Sequence, residues 1–210
     1  MDIMTIDEIL TVLESKDVRF DSNSFSTVPV SFPVSPQEYL SFAEEDLKDL
    51  TPRGTVNALS NAKRALDSRV DSVLIAFGML SAAKAKQWSV PKKLSQLERL
   101  GVMTPRILTK LNRARNLIEH EFHKPSHEQV EDFVDVVSLF YEATRIYLHS
   151  VPNDAQVIDE ATGKWISLNI DYDAGTILLN EGEHQIQYGH DYFDRVICAY
   201  AKLLRGWYDG

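Results

Sequence analysis

Residues 55–82 read TVNALSNAKRALDSRVDSVLIAFGMLSA, and this stretch decides the fold class that the sequence predicts. Apolar side chains recur there every three or four residues, which is the spacing of one face of an α-helix. Lys63 fills the one polar place in the pattern. We therefore predict a long helix from about 55 to 82 whose buried face carries Val56, Leu59, Leu66, Val70, Val73, Phe77 and Leu80.

The chain ahead of this helix predicts two further helices separated by an extended segment. Residues 5–16 have the apolar spacing of a short amphipathic helix. Residues 20–36 alternate polar and apolar side chains and contain three prolines, which predicts an extended linker without helix. Ser35 is a capping residue for a helix that has proline at its first position.

Helices are also predicted downstream, as far as about residue 149. A short helix is expected over 94–100. Thr104 and Pro105 have the cap and first-position pattern of the next helix, which would run to about 123. A capping-box pattern beginning at Ser126 then predicts another helix.

The pattern changes to strict alternation after residue 152. Three strands are predicted, at 165–172, 176–180 and 184–188, joined by tight turns and followed by a helix over 190–206. The predicted fold is mainly α, a helical bundle with a small C-terminal α+β appendage made of a β-meander plus a helix. We expect an N-terminal helix and extended linker over 1–34, the helical domain over 35–150, and the appendage over 151–210.

The charge distribution is uneven along the chain, although the formal net charge is −9. Residues 53–115 hold 13 Lys and Arg against 3 Asp and Glu, and both flanks are acidic. This basic block is consistent with an anion-binding surface, or with helix surfaces that alternate in sign. The single cysteine, Cys198, leaves no internal disulfide to form. No signal-peptide pattern or membrane-length apolar run is present, so we expect a cytoplasmic protein with no membrane partner.

The residues with the clearest chemical potential lie in the stretch RARNLIEH at 113–120. In metal-free RNA cleavage the ribose 2′-hydroxyl attacks the adjacent phosphate. That reaction needs a group that transfers a proton near neutral pH, which suits His120. It also needs a fixed cation on the phosphate, which suits Arg115. Asn116 lies one helical turn before His120 and can orient its ring.

In this spacing the sequence resembles the HEPN family, the higher eukaryotes and prokaryotes nucleotide-binding domains. That family's motif is an arginine, a polar residue directly after it and a histidine a few residues on, and Arg115, Asn116 and His120 match it. The predicted helices before and after the motif match its context. Residues 57–67, NALSNAKRALD, also look like the first long helix of some bacterial members. The resemblance covers roughly 36–149 and implies a HEPN-like helical domain.

The resemblance implies a metal-independent endoribonuclease of a bacterial toxin, stress or anti-phage system. RNA would be the substrate, a protein regulator or antitoxin a further partner, and neither a metal nor a cofactor would be needed. The catalytic residues would be Arg115, Asn116 and His120. We expect RNA to be bound by the basic side chains near the motif and on the long helix, namely Lys110, Arg113, Lys63 and Arg64.

Helical geometry adds an expectation of dimerisation. On an ideal helix, five residues place Arg115 and His120 about 140° apart, so the two cannot share one narrow face. Arg115 falls instead on the apolar stripe of Leu108, Leu111, Ile118 and Phe122. A two-fold seam that pairs the motifs of two subunits, which is the family's habit, would accommodate this charge. We therefore predict a symmetric homodimer.

Three alternatives stay open at this point. The motif residues can form only local hydrogen bonds and salt bridges, in a non-catalytic HEPN module that binds RNA, nucleotide or a protein partner. The protein can also be an interaction protein that holds a partner through its acidic α+β appendage. Finally, His120, His123 and His127 can be read as metal ligands, but Pro125 interrupts the helix between them and no second ligand cluster is visible.

Overall fold

The computed structural model describes residues 4–22, 24–102, 125–149, 151–153 and 155–209. Its elements are found along the whole described chain, with strands near both ends. In chain order they are α1 (Ile6–Leu13), β1 (Val18–Asp21), β2 (Ser24–Ser26), α2 (Pro36–Lys48), α3 (Pro52–Ala76), α4 (Leu80–Ala85), α5 (Val90–Arg99), α6 (His127–Ala143), a 3₁₀ turn (Arg145–Tyr147), β3 (Val151–Asn153), β4 (Ala155–Asp159), β5 (Trp165–Asp171), β6 (Thr176–Leu179), β7 (His184–Gln187) and α7 (Phe193–Asp209).

Helices α2, α3 and α6 pack against one another. Each begins at a hydroxyl cap, because Ser35, Thr51 and Ser126 accept hydrogen bonds from the backbone N–H three residues on. At Ser35 and Ser126 the third residue also reaches back to the cap, so both caps are capping boxes. The predicted helix starts at these two serines are confirmed. None of the described helices is long and apolar enough to cross a membrane.

The long central helix is shorter at its C-terminal end than predicted. Helix α3 stops at Ala76, and a separate helix, α4, begins at Leu80. Gly78 lies between them with a φ of +65°, and a Cβ there would lie 2.9 Å from the carbonyl oxygen of Gly175. A side chain does not fit this close approach, so the chain turns at a glycine. The apolar spacing continues across the break, which is why spacing alone did not reveal it.

Five of the strands form one antiparallel sheet in the order β1-β4-β5-β6-β7. The meander β5-β6-β7 confirms the three strands predicted from alternation. At the other edge β1 pairs with β4, where Phe20 lies opposite Val157. Strands β2 and β3 form a separate antiparallel pair.

The predicted fold class, a mainly α HEPN-like bundle with a small C-terminal appendage, is wrong, because the chain has a mixed α+β fold. The sheet takes its strand β1 from residues 18–21, and α1 packs against α7, β4 and β5. One hydrophobic core includes side chains of the helices and of the sheet, among them Ile9, Leu66, Phe140, Ile166 and Tyr200. Strand β1 is short and its partner lies far away in sequence, so their pairing leaves no local pattern to predict it from.

The proline-bearing segment of residues 20–35 contains no helix among its described residues. The three prolines over 20–36 also predict a loosely held segment, but the described residues are held in place. Val28 is buried, and its N–H donates to the carbonyl oxygen of Leu148 at 2.9 Å. The segment therefore lies against the chain that follows α6, which creates the cavity described below.

Candidate functional site

The catalytic residues predicted from the sequence lie outside the described residues. Residues 103–124 are not among them, so the proposed roles in this segment stay predictions. In the sequence, this segment falls between α5 and α6. The residues concerned are Lys110, Arg113, Arg115, Asn116 and His120.

Two of the predicted RNA-binding residues, Lys63 and Arg64, lie on α3. Arg64 is exposed, and its guanidinium carbon lies 5.9 Å from the centroid of the Tyr39 ring on α2. Its Nη1 also donates to Oδ1 of Asn61 at 3.4 Å. Lys63 is half-buried. The Arg64 charge is thus accessible to a polyanion, while the contact with Tyr39 limits the positions that the Arg64 side chain can take.

Of the three histidines in the metal-ligand alternative, His127 lies among the described residues. It has a structural partner. Its Nε2 lies 2.9 Å from the carbonyl oxygen of Leu47, a contact that joins the start of α6 to α2. Within the described ranges, no group of three or more His, Cys, Asp or Glu side chains is placed to hold a metal ion. The other two histidines of that alternative, His120 and His123, lie outside those ranges.

Arg69 on α3 is a buried cation, only 3% exposed. Its Nε donates to Oγ1 of Thr144 at 2.9 Å, and its Nη2 donates to the carbonyl oxygen of Tyr141 at 2.7 Å. The guanidinium carbon lies 4.0 Å from the centroid of the Tyr141 ring. All of these partners are electrically neutral, and no described carboxylate forms an ion pair with Arg69. Burial lowers the pKa of Arg69 to about 10, although Tyr141 and Glu142 partly offset this.

Arg69 lines a cavity of about 230 Å³ that we call the Arg69 cavity. One wall is the segment of residues 27–32, and another is the N-terminus of α2 with Ser35 and Gln37. The lining mixes polar and apolar groups and consists of Thr27, Val28, Val30, Phe32, Ser35, Pro36, Gln37, Arg69, Ser72, Tyr141, Leu148 and His149. A cation beside the Thr27 hydroxyl and the Gln37 amide is a set of groups that proteins use for anions. The Ser35 hydroxyl and N–H donate instead to the Glu38 carboxylate of the capping box.

His149 also lines this cavity, and it stays exposed to solvent. Partial burial lowers the pKa of its imidazole, the charges of Arg69 and Arg145 lower it further, and Glu142 acts in the opposite direction. The electrostatic effect of Arg69 on His149 shows that the two side chains lie in one local environment. An anion bound in the cavity would favour the protonated form of this histidine.

Sequence reasoning missed Arg69, although a signal was present. Arg69 lies three residues after Leu66 and four before Val73, so helical spacing places it beside the apolar stripe of α3. Lys63 interrupts the same stripe, so helical spacing singles out Lys63 and not Arg69. The Arg69 partners, Tyr141 and Thr144, lie far along the chain, and only the packing of α3 against α6 brings them together.

Comparison of the chain with protein-family models, with curated proteins and with solved structures found no match. The resemblance to the HEPN family therefore rests on the motif and on the order of the helices around it.

Proposed function

We propose that the chain is a metal-independent endoribonuclease with Arg115, Asn116 and His120 as its catalytic residues. The observation that carries this proposal is the Arg-Asn-x3-His motif between α5 and α6. The proposal includes cytoplasmic location and a homodimer in which the motifs of the two subunits pair.

The proposed reaction is an internal transfer at phosphorus. The ribose 2′-oxygen forms a bond to the adjacent phosphorus as the bond from phosphorus to the 5′-oxygen breaks. His120 transfers a proton in this step, and Arg115 binds the phosphate oxygens as their negative charge increases. The products are a 2′,3′-cyclic phosphate end and a 5′-hydroxyl end, so the step consumes no water and needs no metal.

The charge pattern supports RNA as the substrate. Residues 53–115 hold the 13 basic residues of the central block, and they include the accessible Arg64 on α3. Cationic side chains bind the phosphate backbone largely without regard to sequence. The acidic flanks of the chain would oppose binding elsewhere on the surface.

The test is incubation of the purified protein with mixed RNA in EDTA. Cleavage is expected in wild type, and His120→Ala should lower its rate by about 10²–10⁴. Arg115→Ala should abolish cleavage, and Arg115→Lys should impair it, because an ammonium cannot make the planar two-pronged contact. The matched control is His123→Ala, which removes a nearby histidine outside the motif and should cut nearly as well as wild type.

Thermal melts of each variant separate lost chemistry from lost folding. RNA left uncut by folded wild type contradicts the proposal, and so does full activity in His120→Ala. In either case the second candidate, a non-catalytic module that binds RNA, nucleotide or a protein partner, takes its place. The observation that favours this candidate is the Arg69 cavity, because a buried cation facing a cavity is a binding feature that needs no catalysis.

A further inference from the structure

Arg69 forms no direct ion pair with a carboxylate of the described residues, although the charge of Glu142 acts on it from a greater distance. The partners within the described chain are two oxygens without formal charge, on Thr144 and Tyr141, and one aromatic ring. Burying a cation without a counter-charge is costly, and proteins normally pair such groups with a carboxylate or a bound anion. The packing of α3 against α6 thus leaves a site with an excess of positive charge.

The hydrogen bonds of Arg69 leave part of the guanidinium available. A guanidinium has five N–H donors, and hydrogen bonds here are made by Nε and Nη2. Nη1 makes no hydrogen bond to any described residue, and Arg69 lines the cavity. Thr27 and Gln37 place further polar side chains on the other walls of the cavity. Gln37 Oε1 accepts a hydrogen bond from the Tyr141 hydroxyl at 3.5 Å, which leaves its amide nitrogen as a donor.

The shape of the cavity restricts its occupant. A volume of about 230 Å³ lies below the usual range for drug-sized ligands, which is about 300–1,000 Å³. One group with a small body attached fits this space better than a whole polymer segment. Val28, Val30 and Phe32 give one side an apolar character, and that side suits the body of the ligand rather than its charged end.

We infer that the Arg69 cavity binds the phosphate group of a small phosphate monoester. A phosphate offers acceptor oxygens in several directions, and here polar groups line several walls: Arg69 on α3, Gln37 at the N-terminus of α2 and the Thr27 hydroxyl on the segment ahead of α2. A carboxylate has two oxygens in one plane and would leave some of these donors unused. Arg69 is not part of the Arg-Asn-x3-His motif, so the inference does not rest on the nuclease proposal.

The experiment is calorimetric titration of the full chain with phenyl phosphate and with inorganic phosphate at pH 7.5, beside benzoate at the same ionic strength. We expect phenyl phosphate to bind more tightly than inorganic phosphate, because its ring reaches the apolar wall, and more tightly than benzoate. Binding of benzoate at least as tight as that of phenyl phosphate overturns the phosphate assignment. Absence of binding by all three ligands overturns the site itself.

Three variants test the location of the site. Gln37→Glu places a carboxylate on the cavity wall, and Arg69→Gln removes the cation; each should weaken phenyl phosphate binding about tenfold or more, the usual effect of a lost charge-assisted contact. The matched control is Asn57→Glu, which adds the same charge to an exposed position of α3 that does not line the cavity. Its affinity should equal that of wild type.

Gln37→Glu keeps the test decisive if Arg69→Gln fails to fold. Position 37 is exposed, and an acidic side chain in the first turn of a helix is stabilising. Unchanged affinity in folded Gln37→Glu would overturn the inference. His120→Ala separates the two proposals: it should bind phenyl phosphate as wild type does, whether or not it cuts RNA. Loss of binding in that variant, with binding kept in Gln37→Glu, would place the phosphate at the motif and contradict a site at Arg69.

Discussion

Lys63 interrupts the apolar stripe of α3 and Arg69 lies beside it, but the two cations are buried to different extents. Lys63 is half-buried, whereas Arg69 is 3% exposed and is held by Thr144 and Tyr141. A sequence pattern gives the face of a helix on which a residue lies, but not the group that meets it from a distant element. For this reason the stripe was predicted and the Arg69 cavity was not.

The charge of Arg69 should be measurable through His149. Arg69→Gln removes one of the two cations that lower the pKa of His149, so that pKa should rise towards its ordinary value of 6.5. The measurement is an NMR titration of the His149 ring protons. Lys84→Gln, which removes an exposed cation on α4, is the control and should leave the His149 pKa unchanged. A fall in the His149 pKa in Arg69→Gln would contradict the geometry of the cavity.

The same histidine contributes to the dependence of stability on pH. Its pKa in the folded chain lies below the unfolded value, so the folded chain binds fewer protons at this site. The contribution of His149 to the free energy of unfolding is therefore fully present above pH 6.5 and is lost as pH falls through the folded-state pKa. Partial burial, Arg69 and Arg145 act in this direction, and Glu142 opposes them.

At the scale of elements, the residues that were predicted correctly are those whose signals are local. Capping boxes at Ser35 and Ser126 and the alternation over β5 identify their elements within a few residues of sequence. Strand β1 and the end of α3 depend instead on partners far along the chain, β4 for the strand and Gly175 for the helix. Propensity and spacing carry no information on such partners, so both features were missed.

Comparing Gly78 with Gly163 isolates the loss of stability that the close approach of Gly78 to Gly175 would cause in an alanine variant. Both have positive φ, +65° and +70°, but a Cβ at Gly78 would lie 2.9 Å from the Gly175 carbonyl oxygen, whereas at Gly163 nothing lies within 4 Å. Gly163→Ala should cost about 1 kcal/mol of stability for the left-handed backbone alone. Gly78→Ala should cost about 2–4 kcal/mol, because the contact adds to the same backbone cost. Denaturant unfolding measures both, and equal costs would show that the contact is relieved without penalty.

At the scale of the whole molecule, the mixed fold changes what the proposed function must explain. The sheet joins residues near both ends of the chain, and its core is continuous with that of α2, α3 and α6. The sheet is therefore less separable from the helices than the sequence predicts. This weakens the hypothesis that it binds a partner as an independent appendage. The described sheet exposes one large apolar side chain, Trp165 on β5, at 51%. A single exposed residue is ordinary for a protein surface and gives no support to the appendage hypothesis.

We predict that the protein is a symmetric homodimer. Sequence spacing predicts that Arg115 falls on the apolar stripe of a helix, and a two-fold seam would cover that stripe while pairing the motifs. Light scattering at micromolar concentration should give about twice the monomer mass of 23.9 kDa.

Leu111→Asp places a charge on the stripe and should produce folded monomers. Leu139→Asp is the matched control, because Leu139 lies 62% exposed on α6 and belongs to another element, so this variant should stay dimeric. A 23.9 kDa species in wild type would contradict the dimer. If Leu139→Asp dissociates the dimer and Leu111→Asp does not, the seam lies on α6. The dimer would then not explain why Arg115 falls on an apolar stripe.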